Sequence, residues 1–541
     1  AKPTSCHQER LLVLTFCQAV FFTSIEITYI AKMGAADMND PFTPDFSEFV
    51  NKALDKWKLA GISIAVVDGD NVYSKGYGCA NLPDVPATPE TLWYGGSTTK
   101  AFVTATLAHL IETKKYPALS NGWQTPVSSI IRDDFVTQDD WATKNITLED
   151  LACHRSGLRN NDMGLRLYEN GRPWEIRDIA RNLRNTPLQW QPRTKFDYNN
   201  EGYATLSYVI ETITGKWLGD VLKETIWSPL GMTSTYLDLQ QAKDAPDDLS
   251  TGYYWDSSGK QYKPIPFLPT DIVSGAGAII SNVTDYAKWI RCLLRKDGPL
   301  SKAVHKDIRK PRVVDSPEPA RGMDVSLYGL SWWRTSIQGH VVYWHSGSVV
   351  SHGALIYWLP ELDYGVVLLT NYPNDVREVI MRRLIYEKLG VPADERFDIE
   401  KELRMAQRKR EETIANAATI LFPNLPAKPV PPHVDIETLA GRYYAPGNGT
   451  FEFSCIKCKK SGKMELLADR TDLLWKTRFT LRHASGNFWV MLASLLEDPS
   501  RLSDAFLGAE FRFGIDDSPS ELIVTFPTGD YSREIILKKG K

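Results

Sequence analysis

The chain has 541 residues, 43% apolar and 24% charged, with 16 Trp, 23 Tyr and 20 Phe. This is the make-up of a folded protein of two to four domains and excludes extensive disorder, while a net charge of −3 with no long Lys/Arg run excludes nucleic acid as the main partner. Seven scattered Cys, an odd number at low density, exclude a disulfide framework, and Cys455 and Cys458 lack the second Cys or His pair that a zinc site needs.

Taken in chain order, residues 11–30 are apolar enough to resemble a signal peptide or weak membrane span. Gln18, Ser24, Glu26 and Thr28 interrupt them, and no cleavage site is clear. Residues 1–40 therefore read as an N-terminal extension, signal-like or upstream of the true start near Met33. The expectation is a cytoplasmic protein, or a secreted one if residues 1–32 are a genuine signal peptide, with no strong evidence for a membrane partner.

Phe46, Phe49, Val50, Leu54 and Trp57 recur at helical spacing and predict a helix over 46–58. An apolar strand over 61–68 follows, then the turn Asp68-Gly69-Asp70-Asn71 and a return strand over 72–78. A second helix is predicted over 98–113, with a wide apolar face of Phe102, Ala105, Leu107, Leu110 and Ile111. Residues 146–237 read as helix and loop. Strands return at 341–344, 353–359 and 365–370 as an antiparallel meander, and a helix over 376–389 closes the segment. Strands at both ends with helices between them predict an α+β domain over 41–395 whose termini meet in one antiparallel sheet flanked by helices, beside an all-helical region. Residues 396–432 form a linker: a charged helix over 400–418, then Pro423, Pro426, Pro429, Pro431 and Pro432 as a stiff extension. Residues 433–541 are short strands and turns, an all-β module that the linker makes separable.

Three segments carry the chemistry. In Trp93-Tyr-Gly-Gly-Ser-Thr-Thr-Lys100, Ser97 and Lys100 lie three apart at a helix start, so they share a face. A serine hydroxyl needs a neighbour to take its proton, and a lysine of lowered pKa can do so. Alone, this spacing is also that of a capping Ser and a solvated Lys. In Phe196-Asp-Tyr-Asn-Asn200, Tyr198 and Asn200 can point to one side of an extended segment. A Tyr phenolate beside a Lys ammonium is a general base, and an Asn amide can hold a carbonyl or the Lys; taken singly, the same residues make a turn. In Trp344-His-Ser-Gly-Ser348, Gly347 lets the backbone approach a ligand and the Ser348 amide can join that of Ser97 as oxyanion donors.

The order and separation of the three resemble the serine β-lactamase and penicillin-binding-protein group, in its branch of class C-like β-lactamases, D-aminopeptidases and esterases. The segment Ile146-Thr-Leu-Glu-Asp-Leu-Ala-Cys-His-Arg-Ser-Gly-Leu158 and Pro229-Leu-Gly-Met232 also resemble that group, over residues 46 to 390, and the tail resembles its appended lipocalin-like modules. The resemblance implies a β-lactamase/transpeptidase-like domain followed by an all-β lipocalin-like domain. It makes Ser97 the acylated nucleophile, Lys100 its activator and Tyr198 the proton relay. Asn200, His345, Gly347 and Ser348 become substrate-binding, and His154 structural. No metal and no organic cofactor is needed. The third motif departs from the group, since His345 stands where its β-lactamases carry Lys. A neutral His is a poor anion clamp, so the expectation moves from antibiotic hydrolysis to a serine hydrolase of a small-molecule ester, amide or peptide. The alternatives are an acyltransferase sharing the same acyl-enzyme and a non-catalytic scaffold with the same fold.

Overall fold

The computed structural model describes residues 40–458, 462–500, 502–526 and 533–540. The predicted N-terminal extension lies outside the described residues apart from Asp40. The chain divides into a unit ending at Phe49 and a larger unit, Val50–Lys541. Helix α1 (Pro44–Trp57) begins in the first, with acidic Asp45 in its first turn and Lys56 in its last, as the helix dipole favours.

In the larger unit the described residues form a nine-stranded sheet. Its strands are β1 (Gly61–Asp68), β2 (Asn71–Asn81), β3 (Val85–Pro86), β4 (Val313–Ser316), β5 (Ser326–Tyr328), β6 (Trp333–Ile337), β7 (His340–Ser348), β8 (Gly353–Leu359) and β9 (Tyr364–Thr370), in the order 4-5-6-7-8-9-1-2-3. The two ends of the domain meet where β1 pairs antiparallel with β9, from Ile62 opposite Thr370 to Asp68 opposite Tyr364. The expectation from the meander and the early hairpin was therefore right about the sheet. It missed β4 to β6, which are short and are interrupted by Pro317, Pro319 and Gly322.

Strands β8 and β9 are buried along their whole length and β1 along all but its last residue. A near-continuous apolar run is what a strand covered on both faces requires. The cover comes from α5 (Val283–Arg295) against β1 and β9, and α6 (Val376–Lys388) against β8 and β9. The all-helical region is centred on α2 (Thr99–Thr113) and α3 (Asn200–Thr214), with the four-residue α4 (Ser274–Gly277) wedged against both. Phe102, Val103, Leu107, Tyr203, Leu206 and Trp289 share its core.

After α7 (Ile399–Ala415) and a short helix Ala417–Leu421, which together cover the helix expected over 400–418 but for Asn416, the chain enters a closed barrel of eight antiparallel strands. They are β10 (Gly441–Ala445), β11 (Gly449–Lys457), β12 (Met464–Arg470), β13 (Thr477–Ser485), β14 (Phe488–Leu495), β15 (Leu502–Phe513), β16 (Pro519–Phe526) and β17 (Arg533–Lys539). Tyr443 opposite Lys539 closes the ring. Strand β11 begins by alternating buried and exposed residues, the signature of a wall with an inside and an outside.

The barrel packs onto the α+β domain, which its Pro-rich linker does not suggest. The β12–β13 loop inserts into the α+β domain, pairing Leu473 with Arg166, and Leu474 is 1% exposed within that domain's core. Leu167 N–H donates to Asp472 O at 2.7 Å and Leu474 N–H to Leu165 O at 2.9 Å. The Asn448 amide donates to Asn161 Oδ1 at 2.9 Å, and that of Asn182 to Gly447 O at 3.1 Å. Among the described residues no helix is long and apolar enough to cross a membrane.

Candidate active site

Ser97 sits in a single 3₁₀ turn, Gly96–Thr98, that runs directly into α2. Two glycines press this turn onto the end of β7. Gly96 has φ +54°, and a Cβ there would come 2.7 Å from the amide nitrogen of Ser348. A Cβ on Gly347 would collide with the carbonyl oxygen of Gly95. The side-chain-free backbones therefore touch, which brings the Ser348 amide against the turn that carries Ser97. Gly95 N–H donates to Ile279 O at 2.7 Å, and Thr99 Oγ1 donates to Gly96 O at 2.6 Å, fixing the turn from both sides.

Lys100 follows one helical turn later and is 0% exposed, whereas Ser97 is partly open. Its Nζ lies 3.1 Å from Ser97 Oγ, 2.9 Å from Asn200 Oδ1 and 2.7 Å from Ala276 O. Burial pulls its pKa well below the ordinary lysine value, with the charge of Asp162 opposing. The contacts say what deprotonation does. Ala276 O and Asn200 Oδ1 only accept, and they use both N–H groups of a neutral amine. The lone pair then faces Ser97, whose O–H donates to it, which is the geometry of a general base.

Tyr198 lies in the loop ahead of α3. Asn199 caps that helix by accepting from Gly202 N–H at 2.6 Å and ties back by donating to Leu158 O at 3.1 Å. The cap places Asn200 at the first helical position, on Lys100. The Tyr198 ring centroid is 4.9 Å from Lys100 Nζ, and its hydroxyl hydrogen-bonds Ser97. Burial raises its pKa above the usual phenol value and lowers that of Lys100, each shift running against the phenolate and ammonium pair expected from sequence. His154 is the platform beneath: its ring is 4.3 Å from that of Tyr198, its Nδ1 accepts from Asn199 N–H at 3.0 Å, and burial holds it neutral. His154 is buried, and its ring also packs against Phe196, Tyr203 and Tyr328.

His345 does not occupy the place of an anion clamp. It is 1% exposed, packed 4.6 Å from the Trp333 ring, with Nδ1–H donating to Ser346 O at 2.6 Å and Nε2 accepting from Tyr328 at 3.3 Å. Burial, then the Lys100 charge, push its pKa down to about 3. Gly347 and Ser348 extend from it along β7, with Arg377 donating to Gly347 O at 2.8 Å.

Sequence reasoning missed Asn160 and Asp162. Asn160 Oδ1 accepts from Asn200 N–H at 3.1 Å. Asp162 is hydrogen-bonded by Asn160 and Asn200; burial raises its pKa, and these bonds and the Lys100 charge oppose. The only local signal was the polar run Arg159-Asn-Asn-Asp162, which reads as a turn. Both residues line a cavity of about 610 Å³ that also reaches Asp197 and Ser348 on the α+β domain and is lined on its far side by the barrel.

A β-lactamase family model matches residues 46–389. The chain is 38% identical over 508 residues to the unguisins hydrolase of Aspergillus campestris, covering 93% of each, and 34% identical over 489 residues to that of Aspergillus violaceofuscus, covering 86% of each. Among solved structures, the octameric penicillin-binding protein homologue from Pyrococcus abyssi superposes with a TM-score of 0.57 at 22% identity, over 91% of this chain and 99% of that one. The D-amino acid amidase from Ochrobactrum anthropi, complexed with L-phenylalanine amide, gives 0.52 at 19% identity, over 64% of this chain and 99% of its own. At these identities the solved structures bear on the fold.

Proposed function

The chain belongs to the β-lactamase family, and on that premise we propose that it is a serine hydrolase cleaving an ester or amide of a small molecule or peptide through an acyl-enzyme on Ser97. The observation that carries the reading is Lys100: fully buried, 3.1 Å from Ser97 Oγ, with its other two contacts saturated by Asn200 and Ala276.

Ser97 Oγ attacks the carbonyl carbon as its proton passes to Lys100 Nζ. The carbonyl oxygen becomes an oxyanion held by the Ser97 and Ser348 amides. Tyr198 gives its hydroxyl proton to the leaving alcohol or amine and is reprotonated from Lys100, so the acyl-enzyme forms with Lys100 neutral again. Water then repeats the sequence: its proton goes to the base pair, its oxygen to the acyl carbon, and Ser97 leaves with the returned proton. Asn200 orients Lys100 and can reach the substrate carbonyl region. His345, buried and neutral, supplies no positive charge for a substrate carboxylate, which supports neutral esters and amides over anionic β-lactams. Similarity to two unguisins hydrolases across nearly the whole chain, barrel included, favours unguisins as the substrates to try first. Acyl transfer to an alcohol or amine uses the same intermediate.

The test is mass spectrometry of intact protein with short-chain chromogenic esters and unguisins. Wild type is expected to gain the acyl mass and turn over, and Ser97→Ala to do neither. Acylation that persists in Ser97→Ala removes Ser97 as nucleophile; inertness of wild type on every ester, amide and unguisin removes the hydrolase reading. Added alcohol that diverts product from acid to ester would favour transfer.

A further inference from the structure

An eight-stranded barrel has an interior just wide enough to be filled by its own side chains or to hold one small ligand. This barrel does each at a different end. Tyr443, Phe451, Phe453, Trp489 and Phe511 are each at most 2% exposed and fill one part of the lumen. Toward the other mouth the filling stops: Phe479 and Leu507 form a floor, and Trp475, Leu495 and Phe526 a wall, around the 610 Å³ cavity. That mouth faces the α+β domain on one side. The inserted loop around Leu474 seats it on the α+β domain, so the cavity continues to Ser348, whose amide abuts the turn that carries Ser97. Asn160 and Asp162, which are tied to Asn200, stand at the passage between them.

We propose that this barrel mouth is a specificity pocket for the substrate, taking a bulky apolar group, aromatic or branched aliphatic, of a peptide-sized ester or amide whose scissile carbonyl lies on Ser97. The inference rests on the acyl-enzyme reading above and adds the class of substrate. An apolar wall contributes by burying area and imposes little geometry, whereas the Asn and Asp collar offers donors and acceptors to the amide groups of a peptide backbone. A short acyl ester reaches Ser97 and leaves the barrel empty; a substrate with a large apolar group spans both. The volume is within the range of ordinary ligand sites.

The test compares three esters: p-nitrophenyl acetate, p-nitrophenyl 2-naphthylacetate, which carries the bulk on the acyl side, and 2-naphthyl acetate, which carries it on the leaving side. Ala493, on the cavity wall, is replaced in Ala493→Phe to fill the pocket, and Trp475→Ala removes part of the wall. Ala493→Phe is expected to lower the ratio of kcat/KM for one naphthyl ester over acetate by about tenfold or more. In parallel, binding of 2-naphthylacetamide is followed by fluorescence anisotropy in Ser97→Ala, with and without Ala493→Phe, and Tm is recorded for each protein. Binding that Ala493→Phe weakens supports the pocket. Ratios and binding unchanged in both folded variants overturn it while the hydrolase reading stands. If wild type turns over none of the three esters, the binding arm alone decides the pocket, and the hydrolase reading is decided on the amides and unguisins named above. If Ala493→Phe does not fold, Trp475→Ala is judged by the same ratio and the same binding.

Discussion

On the α+β side of the cavity the polar atoms around Ser97 are tied to one another: Lys100 to Ser97, Asn200 and Ala276, Asn200 to Asn160, and Asn199 to His154, Leu158 and Gly202. On the barrel side Phe479, Leu495, Leu507 and Phe526 face the same space with mostly apolar surface, broken by Thr477 and Ser494. Proton transfer requires atoms held to a few tenths of an ångström, which directional bonds achieve. Selection of an apolar group requires only matching volume and area. The two tasks can therefore sit on separate domains, provided the domains are fixed together, and the buried Leu474 loop does that.

Five changes probe this division, from the loss of the base to a shift in pH dependence. Lys100→Ala should lower kcat/KM by about a thousandfold or more, because residues that act as a unit fail as one; steady-state kinetics on a short ester checks it, and a loss under tenfold would place the base elsewhere. Gly347→Ala forces β7 away from Gly95 and pulls the Ser348 amide from the junction. Losing one oxyanion donor costs about a hundredfold or more in kcat, so acylation rates near wild type would remove Ser348 from that role.

Leu474→Ala tests the fixing of one wall to the other. Truncating a leucine buried in a core costs about 2–5 kcal/mol, here in the α+β domain although the residue belongs to the barrel sequence. Urea unfolding reads it, and a change below about 1 kcal/mol would show the loop to be peripheral. Deleting the chain after Pro432 should be worse, reversing the expectation that the tail comes away cleanly. The smallest effect is on pH. Lys100 must be neutral to accept the proton, so kcat/KM falls as pH drops through its pKa. The Asp162 charge raises that pKa. Asp162→Asn should therefore move the acid limb to lower pH, and a limb that moves upward would contradict the assigned base.

Much of this was legible in the chain itself. Val66, Val67, Val366 and Leu368 lie in short continuous apolar runs that read as buried strands, whereas the helix after Ser97, expected to have one wide apolar face, is buried nearly all round. Ser97 and Lys100 were visible because both sit within one turn. Tyr198 and Asn200 were visible only as one of three segments in the right order. Asn160, Asp162 and the barrel mouth were not, because nothing local distinguishes a turn residue that meets Lys100 from one in solvent.

By itself the sequence determined the elements, the order of the motifs and the presence of a terminal β module, since these are encoded in spacings of a few residues. Tertiary structure alone decided that Asn200 meets Lys100 across one hundred residues, that His345 is buried and neutral, and that the barrel lines the cavity instead of trailing behind a linker. Charge state and enclosure depend on what packs around a group from distant parts of the chain, and local pattern holds no record of that.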